Sequence, residues 1–118
     1  MESILTSIKK LLGIAEEYAH FDPDIITHIN SAFFTLTQLG VGPSDGFSIK
    51  DKTNTWDEFI PMDNGLEAVK SYVYMKVKLL FDPPLISTVT ESMNRMINEF
   101  EWRLNIQAET ENQNGGNN

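Results

Sequence analysis

The stretch FDPPLISTVTESMNRMINEFEWRLN, residues 81–105, decides the fold class of this chain. After Pro84 its apolar residues recur in steps of three and four, the spacing that places side chains on one face of an α-helix. They are Ile86, Val89, Met93, Met96, Ile97, Phe100 and Leu104. The positions between them are polar, and Glu99 precedes Arg103 at the i,i+4 spacing that supports a solvated helix. The pattern predicts a long amphipathic helix whose apolar face packs on a helical core.

The preceding segment, from Leu66 to Phe81, fits two patterns. Four apolar residues alternate as they would in a strand: Val73, Met75, Val77 and Leu79. Five repeat as they would in a helix: Leu66, Val69, Val73, Val77 and Leu80. Because the run contains no turn signal and is longer than an ordinary strand, we predict a buried helix.

Two further helices are predicted in the N-terminal third. Ser3 is placed to cap the first helix and Gly13 to end it. The second begins at Phe21-Asp22-Pro23, where the Asp22 carboxylate is expected to accept hydrogen bonds from free N–H groups, and runs to Gly40. Their apolar residues at helical spacing are Ile4, Leu5, Ile8, Leu11 and Leu12, followed by Ile25, Ile26, Ile29, Phe33, Leu36 and Leu39.

Segment 40–65 interrupts the helical pattern with glycines and prolines and still contains large apolar residues. Two interpretations remain open. Residues 47–49 and 55–57 form a short β-hairpin, or the segment is a long ordered loop anchored by Trp56. We favour the loop, because a loop of this size in a compact domain tends to be functional. The expected fold class is all-α (mainly α), a small bundle of about four helices with a long loop or short β-hairpin at 40–65.

The composition fits one small globular domain. With 118 residues, of which 41% are hydrophobic, the chain has enough apolar material for one modest core. From Gln107 onward the sequence is polar and rich in Asn, Glu, Gln and Gly. We predict a helical domain over residues 1–106 and a polar tail over 107–118 that is flexible unless a partner orders it. No apolar run reaches the length of about 18 residues expected of a transmembrane helix, and Met1-Glu2-Ser3 lacks a basic signal region.

Charge and reactive residues argue against several classes of function. Seventeen acids against nine scattered bases give a net charge of −8, so the chain lacks the basic stripe that replaces counterions on nucleic-acid phosphates. The absence of cysteine excludes disulfides and thiolate metal sites. His20 and His28 share no carboxylate at metal-ligand spacing, and no nucleophile has a paired base. The sequence predicts no catalytic residue, no metal site, no cofactor and no enzymatic activity.

Several blocks of the sequence together resemble a known family. They are Leu11-Leu12-Gly13-Ile14, the Asp22 and Asp24 start with Ile25, Ile26 and Ile29, Leu39-Gly40-Val41-Gly42-Pro43, Tyr72-Val73-Tyr74-Met75-Lys76-Val77, Phe81-Asp82-Pro83-Pro84 and Glu101-Trp102-Arg103-Leu104-Asn105. Over about residues 4 to 106 the chain resembles the head–tail connector (head-completion adaptor) proteins of tailed bacteriophages, in the version carried by phages and prophages of Gram-positive hosts. The matching blocks are structural and not catalytic. Segment 40–65 has no counterpart in the more compact members of that family, so its role is open.

The resemblance implies a structural virion protein. About twelve copies are expected to form a ring beneath the portal of the DNA-filled capsid, where the ring extends the DNA channel and docks the tail or a stopper protein. The implied partners are further copies of this chain, the portal protein and a tail-proximal stopper or tail-completion protein. The implied location is the neck of the virion, with the host cytoplasm during assembly. DNA passes through the channel without sequence-specific binding, no membrane is involved, and an acidic wall suits that passage.

A ring subunit needs two different adhesive surfaces, because a heterologous interface joins unlike sides of neighbouring copies. The expected protein-interface residues are Phe47, Trp56 and Phe59 in segment 40–65, with Trp102 and Arg103 on the last helix. An alternative from another class is a small acidic helical regulatory module that holds one protein partner in an apolar groove. Such a module stays monomeric, whereas a connector forms rings alone or on meeting its portal.

Overall fold

A computed structural model describes residues 2–60 and 65–116, with side chains as far as Thr110. Within these residues every regular element is a helix, which confirms the predicted all-α class. The helix predicted from Leu66 to Phe81 is confirmed with the same bounds. The five helices of the described residues are α1 (Ile4–Leu12), α2 (Asp22–Gln38), α3 (Trp56–Phe59), α4 (Leu66–Phe81) and α5 (Ser87–Gly116).

Helix α4 lies at the centre of the bundle and contacts α1, α2 and α5. Because neighbours cover it on several sides, its buried residues do not form a single stripe. They are Val69, Tyr72, Val73, Met75 and Val77. This wide burial explains why the same segment alternates like a strand and repeats like a helix.

The predicted cap of the first helix is present in the structure, whereas the predicted cap of the second helix is not. Helix α1 is capped as predicted: the Thr6 N–H donates to Ser3 Oγ at 3.2 Å, and Gly13 ends the helix in the left-handed conformation. The predicted cap by Asp22 is wrong. Phe21 occupies the cap position of α2 without a side-chain hydrogen bond, and Asp22 is the first helical residue. Its carboxylate forms an ion pair with α1 instead.

That ion pair involves Lys9, a lysine of which only 2% is exposed. The Lys9 ammonium lies 2.9 Å from Asp22 Oδ1 and donates to the carbonyl oxygens of Glu16 at 2.9 Å and Tyr18 at 2.8 Å. Three oxygens therefore replace the water that the charge loses on burial, as a buried cation requires. This Lys9 cluster ties the link between α1 and α2 to the end of α1.

Segment 40–60 is a loop followed by the short helix α3, so the hairpin alternative is wrong. Residues 47–50 form no strand, and Thr55 makes an isolated antiparallel bridge with Ser3. The Asn30 side chain accepts from the Ile49 N–H at 2.8 Å and donates to its carbonyl at 3.0 Å. Both backbone groups of Ile49 are thereby paired with α2 in place of a strand partner. Residues 61–64 of the predicted loop lie outside the described residues.

Helix α5 is much longer than the helix on which it packs. It has 30 residues, about 45 Å at 1.5 Å per residue, against 16 residues in α4. The Tyr72 hydroxyl donates to Glu101 Oε2 at 2.8 Å, and Gly65 lies beside Gln107, so the two helices are antiparallel. In this register Phe81 lies opposite about residue 92. Both ends of α5 therefore extend beyond α4.

The C-terminal part of α5 includes most of the predicted polar tail. Asn105 Nδ2 donates to the Leu39 carbonyl at 3.2 Å, and the buried Ala108 packs on Gly40. The helix continues to Gly116, while residues 117–118 lie outside the described part of the chain. The flexibility of residues 107–118 in solution stays a prediction.

Candidate interaction surfaces

The extension of α5 beyond α4 leaves part of its apolar face uncovered. Ile97 and Leu104 of the predicted stripe are buried, as expected. Ile86 and Val89 at its start are exposed, because α4 ends at Phe81 and no other described element takes its place. Met93 is partly buried against the core, whereas Met96 is 48% exposed although it lies within the length that α4 covers. We name the exposed set around the start of α5 the α5 N-terminal surface, and it consists of Leu80 of α4, Leu85 and Ile86 of the link, and Val89 and Met96 of α5. Leu85 is fully exposed and the other four are 44–63% exposed. Apolar clusters of this kind mark interaction sites when they are contiguous.

A groove of about 590 Å³ lies between α4 and the first half of α5. Its lining from α4 and the link that follows is Lys76, Leu79, Leu80 and Pro83. Its lining from α5 is Thr90, Asn94, Ile97, Asn98 and Glu101. The lining therefore combines leucine and isoleucine side chains with amide and hydroxyl groups. Such a lining can contact both the apolar side chains and the backbone polar groups of a bound polypeptide segment.

A second exposed apolar site lies further along α5. Trp102 is 66% exposed and Ile106, one turn later, is 44% exposed. We name these two residues the Trp102 surface. The predicted i,i+4 pair beside it is confirmed, with Arg103 Nη2 at 2.6 Å from Glu99 Oε1. Because both charges are exposed, the pair contributes little to stability and leaves the Arg103 guanidinium free to exchange partners.

The three loop residues predicted for the interface lie in or against the core. Trp56 is 1% exposed and Phe59 2% exposed, while Phe47 is partly buried beside them. Phe33 of α2 packs on all three, with ring centroids 6.1 Å from Trp56, 4.6 Å from Phe59 and 5.0 Å from Phe47. Trp56 Nε1 also donates to Ser7 Oγ at 2.9 Å. In this arrangement the aromatic rings hold the loop on the bundle. Their part in an interface stays a prediction, with Trp102 and Arg103 as the two exposed candidates.

The α5 N-terminal surface lies in a segment with little net charge. Residues 76–98 contain three bases against two acids, a local net charge of +1 within a chain of −8. Those residues are Lys76, Lys78, Arg95, Asp82 and Glu91. Lys78 and Asp82 form an ion pair at 2.9 Å. Lys76 lines the groove between α4 and α5, and Arg95 lies within about 20° of Trp102 around the axis of α5, on a different face from Val89 and Met96.

The hydrogen bond between Tyr72 and Glu101, which links α4 to α5, depends on a tyrosine hydroxyl that keeps its proton. Burial raises the pKa of the Tyr72 phenol well above its usual range, and the bond to the Glu101 carboxylate raises it further. The hydroxyl therefore remains a donor throughout the physiological pH range. It keeps the two helices in the register that exposes the first half of α5.

Two carboxylates of the loop, Asp51 and Glu58, have a lowered pKa because they accept hydrogen bonds from nearby loop residues. Hydrogen bonds from the side chain and backbone of Thr53 lower the pKa of Asp51. The Asn54 amide and the Thr55 N–H lower the pKa of Glu58 in the same way, at 3.0 Å and 2.8 Å. Each carboxylate is satisfied by its immediate neighbours in sequence, as in ordinary turns and helix starts.

In the described residues, 2–60 and 65–116, no group of three or more histidines or acids lies close enough to hold a metal ion. None of the helices in that part of the chain is long and apolar enough to span a membrane.

Comparison with known proteins identifies one family. The family model described as phage connector protein matches residues 4–111, nearly the whole chain. No curated protein and no solved structure gives a significant match.

Proposed function

Because this chain belongs to the phage connector protein family, we propose that it is the head–tail connector of a tailed phage, forming a ring of about twelve copies beneath the portal. The family is one of structural phage proteins, which makes the chain a component of the virion. In the proposed ring the protein extends the DNA channel and docks the tail or a stopper protein. Assembly takes place in the host cytoplasm, and the final location is the neck.

The observation that carries the proposal is the family match together with the uncovered apolar residues of α5. A monomer would keep Leu85 fully exposed to water and Ile86, Val89 and Trp102 44–66% exposed. Burial of such area stabilises an assembly by about 25 cal/mol per Å² before association costs are subtracted. Two separate exposed sites, one around the start of α5 and one at Trp102, suit a heterologous interface, which joins unlike surfaces of neighbouring copies.

The net charge supports passage of DNA through the ring. Seventeen acids against nine bases leave few cations for phosphate contacts, so the wall of a channel built from this chain repels the duplex. Repulsion prevents adhesion while DNA moves during packaging and ejection. The protein is therefore expected to bind its protein partners and to leave DNA unbound at physiological ionic strength.

A portal complex is the direct test of this function. The purified chain is mixed with the portal protein of the same phage, sedimented on a gradient, and imaged by negative stain. We expect co-sedimentation and a second ring attached to one end of the portal. Separate sedimentation of the two proteins, with no added ring on the portal, would contradict the proposal.

The groove between α4 and α5 supports a second candidate function, a regulatory module that holds one partner segment. Its volume and mixed lining, including Leu80 and Asn94, suit a bound peptide. The two functions differ in stoichiometry. A module binds one partner as a monomer, whereas a connector associates with itself or with the symmetric portal.

A further inference from the structure

Helix α5 contributes little to the most deeply buried part of the core. In the described part of the chain, every apolar side chain that is at most 3% exposed lies in residues 4–77. Ile97 and Leu104 of α5 are 5% exposed and Ala108 is 7% exposed. Within residues 87–110 these three are the buried side chains. Separation of α5 from the bundle therefore removes apolar burial at the edge of the core and not at its centre.

The buried side chains of α5 and its hydrogen bonds to the rest of the bundle lie along one stretch of the helix, residues 97–108. Glu101 accepts from the Tyr72 hydroxyl at 2.8 Å near the middle of this stretch, and Ala108 packs on Gly40 at its end. The stretch is about three helical turns long. Because its contacts lie on consecutive turns of one helix, we expect them to form and break together.

The link between α4 and α5 leaves α5 free to move without disturbing α4. Four of its five residues are exposed, namely Asp82, Pro83, Leu85 and Ile86. The two prolines of the link, Pro83 and Pro84, have no N–H group to donate to a neighbouring element. Helix α4 also contacts α1 and α2, so it keeps two neighbours when α5 is absent. The link therefore has the properties of a hinge.

We propose that α5 is a releasable arm, which separates from the core of α1–α4 as one unit at a free-energy cost well below that of global unfolding, with residues 82–86 as the hinge. Release uncovers Ile97 and Leu104, which then join the exposed Val89 and Met96 in one complete apolar stripe. A partner can bind this stripe along its whole length only after α5 has left its own core, and such a partner shifts the population toward the released state. The inference concerns a single copy of the chain and does not rest on the proposed ring.

Single introduced thiols test the release of α5. The chain contains no cysteine, so a thiol reagent modifies only the introduced site, and only when that site opens to solvent. Each buried residue of α5 is paired with a fully buried residue of the same type in α2. The α5 variants are Ile97→Cys, Leu104→Cys and Ala108→Cys, and the matched α2 variants are Ile29→Cys, Leu36→Cys and Ala32→Cys. Circular dichroism checks that each variant is folded, and urea denaturation gives its global stability.

The rate of labelling by a maleimide is measured in dilute solution of the folded variants. When reclosing is faster than labelling, this rate is proportional to the population of the open state. Each rate is divided by that of the same variant unfolded in urea and corrected for the change in global stability that the substitution causes. We expect the three α5 thiols to agree within about threefold and to react at least about 100-fold faster than their α2 partners. Low concentrations of urea should accelerate the α5 sites less than the α2 sites, because release exposes less surface than global unfolding does.

Two labelling results would overturn the proposal. Equal corrected rates for the α5 and α2 sites would mean that α5 opens only when the whole protein unfolds. Rates that increase steadily from residue 97 to residue 108 would mean that the helix frays from its end and does not separate as a unit. Neither result bears on portal binding, which is measured separately.

Hydrogen exchange of the unsubstituted chain gives an independent measurement. A helix without a packing partner is only marginally stable in water, so we expect amides of residues 97–108 to exchange at least about 10-fold faster than those of residues 69–77 in α4. Equal protection of the two segments would contradict the release of α5 as a separate unit.

Discussion

At the scale of single residues, the buried Lys9 side chain connects α1 to the link between α1 and α2 and to the start of α2. Its ammonium is almost fully removed from water and has oxygen partners on Glu16, Tyr18 and Asp22. Removing one member of a buried ion pair is costly because the other member loses its partner without regaining full hydration. Here two backbone carbonyls lose their donor as well.

Replacing Lys9 with Met keeps the aliphatic stem and removes the charge. We expect a loss of about 3 kcal/mol in the free energy of unfolding, measured by urea denaturation. Lys10→Met is the matched control, because Lys10 is the exposed neighbour on the same helix, and it should change stability by less than about 0.5 kcal/mol. Equal midpoints for the two variants would show that the Lys9 cluster does not stabilise the fold.

Gly42 and Gly46 test how closely the loop packs on the core. Both have positive φ, 84° and 96°, so alanine carries a similar backbone cost of about 1 kcal/mol at either site. A Cβ at Gly42 would collide with the Phe59 ring, whereas a Cβ at Gly46 has no heavy atom within 4 Å. Gly42→Ala should therefore destabilise the protein by about 1–3 kcal/mol more than Gly46→Ala, as read from thermal melting. A difference near zero would mean that Phe59 moves freely.

At the scale of elements, the relation between α4 and α5 determines what the molecule exposes. Tyr72 and Glu101 connect the two helices at 2.8 Å, and the short link after Phe81 leaves the start of α5 without a partner helix. A shift of register by one turn, about 5.4 Å, would cover or uncover a different part of the stripe. The hydrogen bond between Tyr72 and Glu101 therefore helps to determine which residues of α5 are exposed, and it also stabilises the fold.

Tyr72→Phe removes this hydrogen bond without opening a cavity. We expect a loss of about 1–2 kcal/mol at pH 7, since the acceptor is a carboxylate, with Tyr74→Phe on the same helix as the control. The raised pKa of Tyr72 also has a consequence at high pH. Its contribution is complete below the unfolded value of about 10 and declines as pH rises above it, because only the unfolded chain then ionises readily. Wild-type stability should fall above pH 10 more steeply than that of Tyr72→Phe; parallel curves would contradict this.

Two truncations test the boundary of the polar tail. A chain ending at Ala108 retains the contact of Ala108 with Gly40, and we expect it to melt like the full chain. A chain ending at Ile106 loses that contact, and its stability should fall by about 1 kcal/mol. An equal loss in both truncated chains would show that residues beyond Ala108 stabilise the folded domain in solution.

Much of this architecture could be predicted from the sequence, because helical periodicity and caps are local. The caps at Ser3 and Gly13 and the bounds of Leu66–Phe81 followed from neighbouring residues alone. The errors concern contacts between distant residues. Asp22 was read as a cap because its partner Lys9 is recognisable only once α1 and α2 are packed. The exposed stripe of α5 depends on where α4 ends in space, which periodicity does not report.

The predicted interface residues also depend on contacts between residues that are distant in sequence. An aromatic residue in a loop fits a core as well as a partner, and the burial of Trp56 and Phe59 became apparent only in the folded chain. Trp102, expected on the exposed side of the last helix, is 66% exposed in the structure. Exposure of Trp102 was therefore predictable, whereas the occupant that covers it was not.

At the scale of the whole molecule, the helices form a small acidic body from which one long helix extends in both directions. α5 spans about 45 Å of a longest dimension of 48 Å. Its two halves differ in charge, because residues 87–98 contain one acid and one base, whereas residues 99–111 contain four acids against one base. A subunit with this polarity is suited to repeated association in one direction, which closes into a ring when the rotation between copies divides the circle evenly.

We propose that this chain is a connector that forms a ring, so its mass in solution is the decisive measurement. Light scattering over a wide concentration range, with and without the portal protein, gives the number of copies. We expect a species of about twelve copies, either alone or bound to the portal. A chain that remains monomeric at every concentration and does not bind the portal would contradict it.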